Sequence, residues 1–347
     1  MKKIIFILSI VLLFALGCDK KNGTTTVQTT KDFNYDSTDI KAQVLDNSSF
    51  KDLELRYKLE KGKKYTYRLT TISDEKQTIS ADTLIKQDVI QTLAYIVSVE
   101  VKDVEPDNVM ELSFVFESIK LDATANGQKY SYISGKKLDS LDQQRYLEYE
   151  AMLNNPFSIR MSPTGEILDV YKTDRIANKV LEMRGVKDSV SAEEKKLFQQ
   201  DIVNGALKPL IAQVFRSMPS NKVSIDSSWS IKQPLVNLQV FQLDNTHNFQ
   251  LKQFEKYNDD NLAVINAGLT SKFIISPEAK RNNIDVKNPN YTAEGKIYFN
   301  LTKGLIQKSK TRTALNVEIS MTLPRKNGPQ KMIRKQSSKN INILELL

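Results

Sequence analysis

The chain has 347 residues, with 50 Lys and Arg against 41 Asp and Glu, and a net charge of +9. Its single Cys and single His exclude an internal disulfide and any His/Cys metal site of ordinary spacing, so stability has to come from packing. The apolar and charged fractions are those of a globular protein able to bury a core, and the length suits one large domain or two ordinary ones.

At the N-terminus, Lys2 and Lys3 precede an apolar run over residues 4–16, broken only by Ser9 and ending in Ala15-Leu16-Gly17-Cys18. Basic, then apolar, then small is the layout of a secretory signal. The run falls short of the ~20 residues that cross a bilayer. These residues resemble the lipobox of bacterial lipoproteins, with Gly17 and Cys18 in place and Ala15 and Leu16 in permuted order. The resemblance implies removal of residues 1–17, acyl chains such as palmitate on Cys18, and a stable membrane anchor on an exported protein of the bacterial cell envelope. An ordinary signal cut nearby would instead leave Cys18 as an unpaired thiol in an oxidising compartment. Losing Lys2 and Lys3 with the signal takes two from the net charge. Asp19 leaves the choice between inner and outer membrane open.

Residues 18–50 are polar and without apolar period, which predicts the lipidated cysteine followed by a flexible tether. Leu53, Leu55, Tyr57 and Leu59 then alternate with charged residues, the period of a half-buried strand. A turn at Glu60-Lys61-Gly62-Lys63 leads to Tyr65, Tyr67 and Leu69. After a polar break at Ser73-Asp74-Glu75-Lys76, a long hairpin runs through Tyr95, Val97, Val99 and Val101, turns at Glu105-Pro106-Asp107-Asn108 and returns through Met110, Leu112, Phe114 and Phe116. Tyr130 and Tyr132 mark a short strand after Gly127. A helix is predicted over 141–153, a hairpin around Pro163-Thr164-Gly165, and a short helix through Ile176, Val180 and Leu181. Ser191 and Glu194 have capping-box spacing and open a helix interrupted near Gly205 and Pro209. Beyond it, Leu210, Ile211, Val214, Phe215 and Met218 form an apolar stripe, read as core in preference to a lipid-cavity lining.

From Val223 onward the pattern returns to strands, with Trp229 and Ile231 in one, a second long hairpin across Asn258-Asp259-Asp260-Asn261, and clean alternation at Leu315, Val317, Ile319, Met321 and Leu323. The fold class is therefore α+β and mainly β: a large curved antiparallel sheet of long hairpins with central helices. Residues 51–220 and 221–347 form two halves of one structural unit, and their shared rhythm leaves an ancient duplication open.

No constellation for catalysis emerges, so neither a catalytic nor a metal-ligating residue is assigned, no cofactor is implied, and the expectation is a protein that is not an enzyme. A Ser-His-Asp triad would have to use His247, which lies mid-strand in phase with Leu243, Phe249 and Leu251 and reads as a hydrogen-bonded structural histidine. The acidic pairs Glu193-Glu194 and Asp259-Asp260 fit a helix start and a turn. Trp229 reads as a core anchor in preference to a ligand contact. Between Lys303 and Lys339 ten basic residues face one acid, Glu318. Lys308, Lys310, Arg312, Arg334 and Lys335 are the candidate binding residues there, for anionic headgroups or an acidic partner, unless the charge only keeps exposed strands from self-pairing. Nucleic acid is not an expected partner. Lipobox, tether and β body together resemble uncharacterised envelope lipoproteins with a domain of unknown function, and the curved sheet resembles the half-barrels of periplasmic lipid carriers. That resemblance implies a non-catalytic lipoprotein holding an apolar or lipid-like ligand on a concave sheet face. The alternative is a module docking an acidic envelope partner through the basic C-terminal strands.

Overall fold

The computed structural model describes residues 32–238, 240–323 and 328–347. The expected signal over 1–17 and the lipidation residue Cys18 lie outside the described residues. After the two-residue strand Gln43–Val44 (β1), the long strands Lys64–Ser80 (β2), Leu84–Val104 (β3) and Met110–Ala125 (β4) form a meander, with Gln128–Ile133 (β5) turning back on β4. Asn126 and Gly127, with φ of 48° and 83°, make that last turn, the conformation a tight hairpin demands and which these two residue types tolerate.

The middle of the chain is helical around one hairpin. It comprises Ser140–Arg145 (α1), Leu147–Met152 (α2), Phe157–Met161 (β6), Ile167–Tyr171 (β7), Asp174–Met183 (α3), Ala192–Ile202 (α4) and Lys208–Val214 (α5). The helix expected over 141–153 is thus two short ones meeting at Tyr146. Ser191 and Glu194 close the capping box at the start of α4. The expected interruption is a π-helical turn, Val203–Leu207, because Pro209 has no N–H to offer the carbonyl of Gly205.

Ser228–Lys232 (β8) and Val236–Leu238 (β9) precede a second meander: Phe241–Tyr257 (β10), Asp260–Ile275 (β11), the helical turn Pro277–Arg281 (α6), Asp285–Asn300 (β12), Leu305–Leu323 (β13) and Gln330–Leu346 (β14). All strands belong to one curved, open, antiparallel sheet in the order β1-β10-β11-β12-β13-β14-β2-β3-β4-β6-β7. The last strand, β14, pairs with β2 over residues 333–346 and so welds the two meanders together. The long outer edge of β10 is tiled by three short strands: β9 on 241–243, β8 on 246–250 and β1 on 255–256. On β4, β6 covers 110–114 and β5 covers 120–125. Tiling satisfies edge donors and acceptors that would otherwise template pairing with another chain.

The main core fills one end of the concave face. Leu69, Tyr95, Phe114, Phe254, Phe299 and Leu344 rise from the strands to meet Ile176, Leu207, Ile211 and Val214 from the helices. Of the apolar stripe beyond Pro209, Ile211 and Val214 are core on α5, while Phe215 and Met218, also buried, lie past the end of the helix and border a cavity. Three sequence expectations need correcting. Residues 53–59 alternate in burial, with Leu55, Tyr57 and Leu59 at most 5% exposed, yet they are not a strand. The segment is threaded across the concave face, where Tyr57 N–H donates to Pro163 and Lys58 N–H to Gly304, so single hydrogen bonds replace a ladder. Gly165 in the β6–β7 turn has no side chain because an added Cβ would lie 2.5 Å from the Tyr57 ring. Second, the polar stretch at Ser73-Asp74-Glu75-Lys76 does not break β2, since β3 and β14 supply ladders on both sides of it. Third, of the tether expected over 18–50, the described part, 32–50, is docked on the sheet. Asp32, Asp36 and Asp39 reach cations of the convex face, Ile40 packs against Leu262, Val264 and Tyr298, and β1 joins the edge.

Candidate functional site

Strand periodicity carries the floor of the site. On β14, Leu344 belongs to the core, and every second residue back along this unbroken strand shares its face: Gln336, Arg334 and Met332. Across the ladder stand Val317, Ile319 and Met321 of β13 and Gln77 and Ile79 of β2. The helices cover the near end of this face only. Over the far ends of β13, β14, β2 and β3 they leave a cavity of about 2530 Å³. That is several times the ~300–1,000 Å³ of an ordinary small-molecule pocket.

The walls come from three places. One is the π-helical turn and α5, through Asn204, Gly205, Lys208 and Ala212; another is the loop after α5, through Phe215 and Met218; the third is the β8–β9 segment, through Trp229, Ile231, Leu235, Val236 and Leu238. Leu235, Val236 and Leu238 are 37–49% exposed, and Leu84 and Ile85 at the β2–β3 tip are 59% and 49% exposed. Large apolar side chains therefore stand in solvent at this end of the sheet. Val317 and Ile319 belong to a second, smaller core with Phe241 and Leu243, packed at its margin by Phe273, Val286 and Met321.

Polar residues make up about half of the cavity lining, and some of their buried donors have no acceptor among the described residues. A row of amides crosses three strands at one level, Gln87, Gln77 and Gln336, with Gln77 donating to Gln87 at 3.0 Å. Arg334 donates to Gln336 at 3.0 Å, while its Nε is buried without an acceptor among the described residues. Trp229 stacks on Phe249 and its buried Nε1 likewise has no acceptor. His247 lines the cavity and makes no side-chain hydrogen bond among the described residues, so the expected hydrogen-bonded histidine is not what the structure contains. Burial, reinforced by the nearby Arg216 charge, brings its pKa down to about 4, and it is neutral at pH 7. Burial also pushes the Glu75 carboxyl up.

The five basic residues grouped by sequence are not one patch. Arg334 is on the concave face, whereas Lys308, Lys310, Arg312 and Lys335 fall on the convex face. There Arg68, Glu345 and Lys308 stand side by side on β2, β14 and β13, all buried. Arg68 meets Glu345 at 2.9 Å and Lys308 meets Asp36 at 2.9 Å. Hydrogen bonds from Lys308 and Thr38 hold the Asp36 carboxyl well below the usual carboxylate range. Lys310 donates to the carbonyl of Ser37, Lys335 pairs with Glu318 at 3.3 Å, and Arg312 lies 3.9 Å from Glu294. The acidic groups expected from a partner are thus supplied largely by the chain itself. Two cavity residues, Trp229 and His247, read as structural in the sequence. Nothing in their strand spacing distinguishes a side chain facing filled core from one facing a void.

Among the described residues no group of three or more His, Cys, Asp or Glu could hold a metal ion, and no helix is long and apolar enough to cross a membrane. Residues 107–306 match the model of a family of unknown function (DUF6263). The span runs from the β3–β4 turn into β13, taking in the helices and the cavity walls but not β14 or β2. No curated protein matches the sequence. Among solved structures, lipovitellin, studied for its lipid–protein interactions, matches at 12% identity and a TM-score of 0.38, over 84% of this chain and 25% of its own. This chain therefore spans about a quarter of lipovitellin's length. An outer membrane channel from Pseudomonas putida matches at 8% identity and a TM-score of 0.17, over 84% of this chain and 98% of its own. A DUF1329 family protein from Desulfovibrio piger matches at 8% identity and a TM-score of 0.12, over 77% and 83%. Scores this low transfer neither a site nor an activity.

Proposed function

The chain belongs to this family of unknown function, which brings no activity with it, and from the geometry we propose that it is a non-catalytic envelope lipoprotein that holds an amphiphile in the concave cavity. The observation that carries the reading is an apolar floor, Val317 and Ile319 of the smaller core with the only partly buried Met321 and Met332 beside them, bordering about 2530 Å³ of open space. A sheet face with that composition is ordinarily buried against another element, and here the helices stop short of it. The run over residues 4–16 ending at Gly17-Cys18 supports export and a lipid anchor, which would hold the cavity close to a source of such ligands. Docking of an acidic partner through the basic strands is the weaker reading, because Asp36 and the carbonyl of Ser37 already engage Lys308 and Lys310.

The test is displacement of a fluorescent apolar probe from the full chain by alcohols of graded chain length. At ~0.8 kcal/mol per buried methylene, each two-carbon extension should tighten binding roughly tenfold until the cavity is spanned. Met332→Lys, which places a charge on the partly buried part of the floor, should abolish displacement while leaving the unfolding midpoint within a few degrees. Affinity independent of chain length, or undiminished in the variant, would refute the reading. Mass spectrometry of protein extracted without added lipid should show both the mass of acyl chains on Cys18 and a co-purifying amphiphile.

A further inference from the structure

Arg334 stands alone in an aliphatic row. Its neighbours across the ladder are Ile79 on β2 and Ile319 on β13, and beyond them Ile85 on β3 and Val286 on β12. The guanidinium forms no ion pair among the described residues. One of its amines is taken by Gln336, and Nε is buried with no acceptor. A half-buried cation without a counter-ion costs free energy that folding alone gives no reason to spend. The convex face shows what the ordinary solution looks like: Lys308 and Arg312 of β13 and Lys335 of β14 itself each face a carboxylate there.

Among the described residues no acid of the cavity pairs with it. Glu75 shares the floor, but it is four residues along β2 from the Ile79 level, or about 13 Å at ~3.3 Å per residue. The remaining carboxylate of the lining is Glu166, against Lys208 and Lys222; Lys76 and Lys232 also border the cavity, but strand alternation puts their side chains on the other face, where Lys232 pairs with Asp244. Trp229 adds a second buried donor without an acceptor. The lining therefore offers donors and positive charge in excess, and a complementary occupant has to bring acceptors and negative charge.

Building on the amphiphile reading above, we propose that the ligand has an anionic head, a carboxylate or a phosphate, and that Arg334 is its counter-ion while the tail lies along Val317, Ile319, Met321 and Met332. A planar guanidinium suits both heads, since each offers two oxygens to its paired donors.

The experiment compares dodecanoate, dodecyl phosphate and dodecanol as competitors for the same fluorescent probe on the full chain and on Arg334→Gln and Arg334→Lys. The wild-type chain should prefer both anions to the alcohol. Arg334→Gln should weaken the anions by on the order of 10–100-fold, as expected for a charged hydrogen bond, while dodecanol binds as before and so reports an intact cavity. Arg334→Lys should restore part of the preference. A greater loss for dodecyl phosphate than for dodecanoate assigns the site to phospholipid-type heads, and the reverse to free fatty acids. The head assignment is overturned if wild type binds anions and alcohol alike, or if Arg334→Gln keeps the preference. Failure of all three competitors would instead remove the amphiphile reading beneath it.

Discussion

Tyr57 is 2% exposed, and its hydroxyl satisfies both backbone polar groups of one residue: it accepts from Arg216 N–H at 2.9 Å and donates to Arg216 C=O at 3.0 Å. This pins the threaded segment to the loop after α5, which forms a wall of the cavity. Tyr57→Phe conserves the ring and strands both groups, so urea denaturation should show a loss of about 1–3 kcal/mol with an unchanged slope. A loss under half a kcal/mol would mean that the loop re-pairs elsewhere. His247 carries a pH signature. Its pKa is brought from 6.5 down to about 4 by burial and then by the Arg216 charge, so the folded chain binds a proton less readily than the unfolded one. The neutral-state advantage is fully present above about pH 6.5 and is lost as pH falls through about 4. His247→Gln should flatten the stability profile between those values relative to wild type, measured as thermal midpoints, and superimposable profiles would contradict this account.

At the scale of elements, residues 32–44 act as a strap whose value is electrostatic. Arg68, Lys308 and Glu345 bring two positive charges and one negative into a buried row, and Asp36 of the strap supplies the missing carboxylate. Asp39 does the same for Lys296, whose hydrogen bond lowers its pKa. Because both carboxyls are depressed from an ordinary 3.8, their contribution is present above that value and fades as pH drops below it. The variant Asp36→Asn with Asp39→Asn should imitate acid at neutral pH. Limited trypsin digestion should then cut at Lys41 many times faster than in wild type, with the body intact; an unchanged rate would show that Ile40 and β1 hold the strap unaided.

For the molecule as a whole, the weld between β14 and β2 matters most. The two meanders close only when the final strand pairs with the first long one, a contact across most of the chain, which predicts slow folding. It also predicts that neither meander is independent. A chain ending at residue 329 would expose the edges of β13 and β2 and remove Leu344 from the core. It should lack a cooperative thermal transition and associate through those edges. A monomeric, cooperatively melting truncation would show that the two halves are separate domains.

By itself the sequence determined the local matters, namely most strands of both meanders, the Glu105-Pro106-Asp107-Asn108 and Asn258-Asp259 turns, the capping box at Ser191 and the break at Pro209. It did so because alternation, turn chemistry and a missing N–H act within a few residues. Only the tertiary structure decided that residues 53–59 cross a face without a ladder, that residues 32–50 are docked, and that Arg334 parts from Lys308, Lys310, Arg312 and Lys335. Those outcomes depend on which face of a strand another element covers. A period of two separates the faces of a strand, but it does not say which one the helices reach, nor how far along the strand their cover extends.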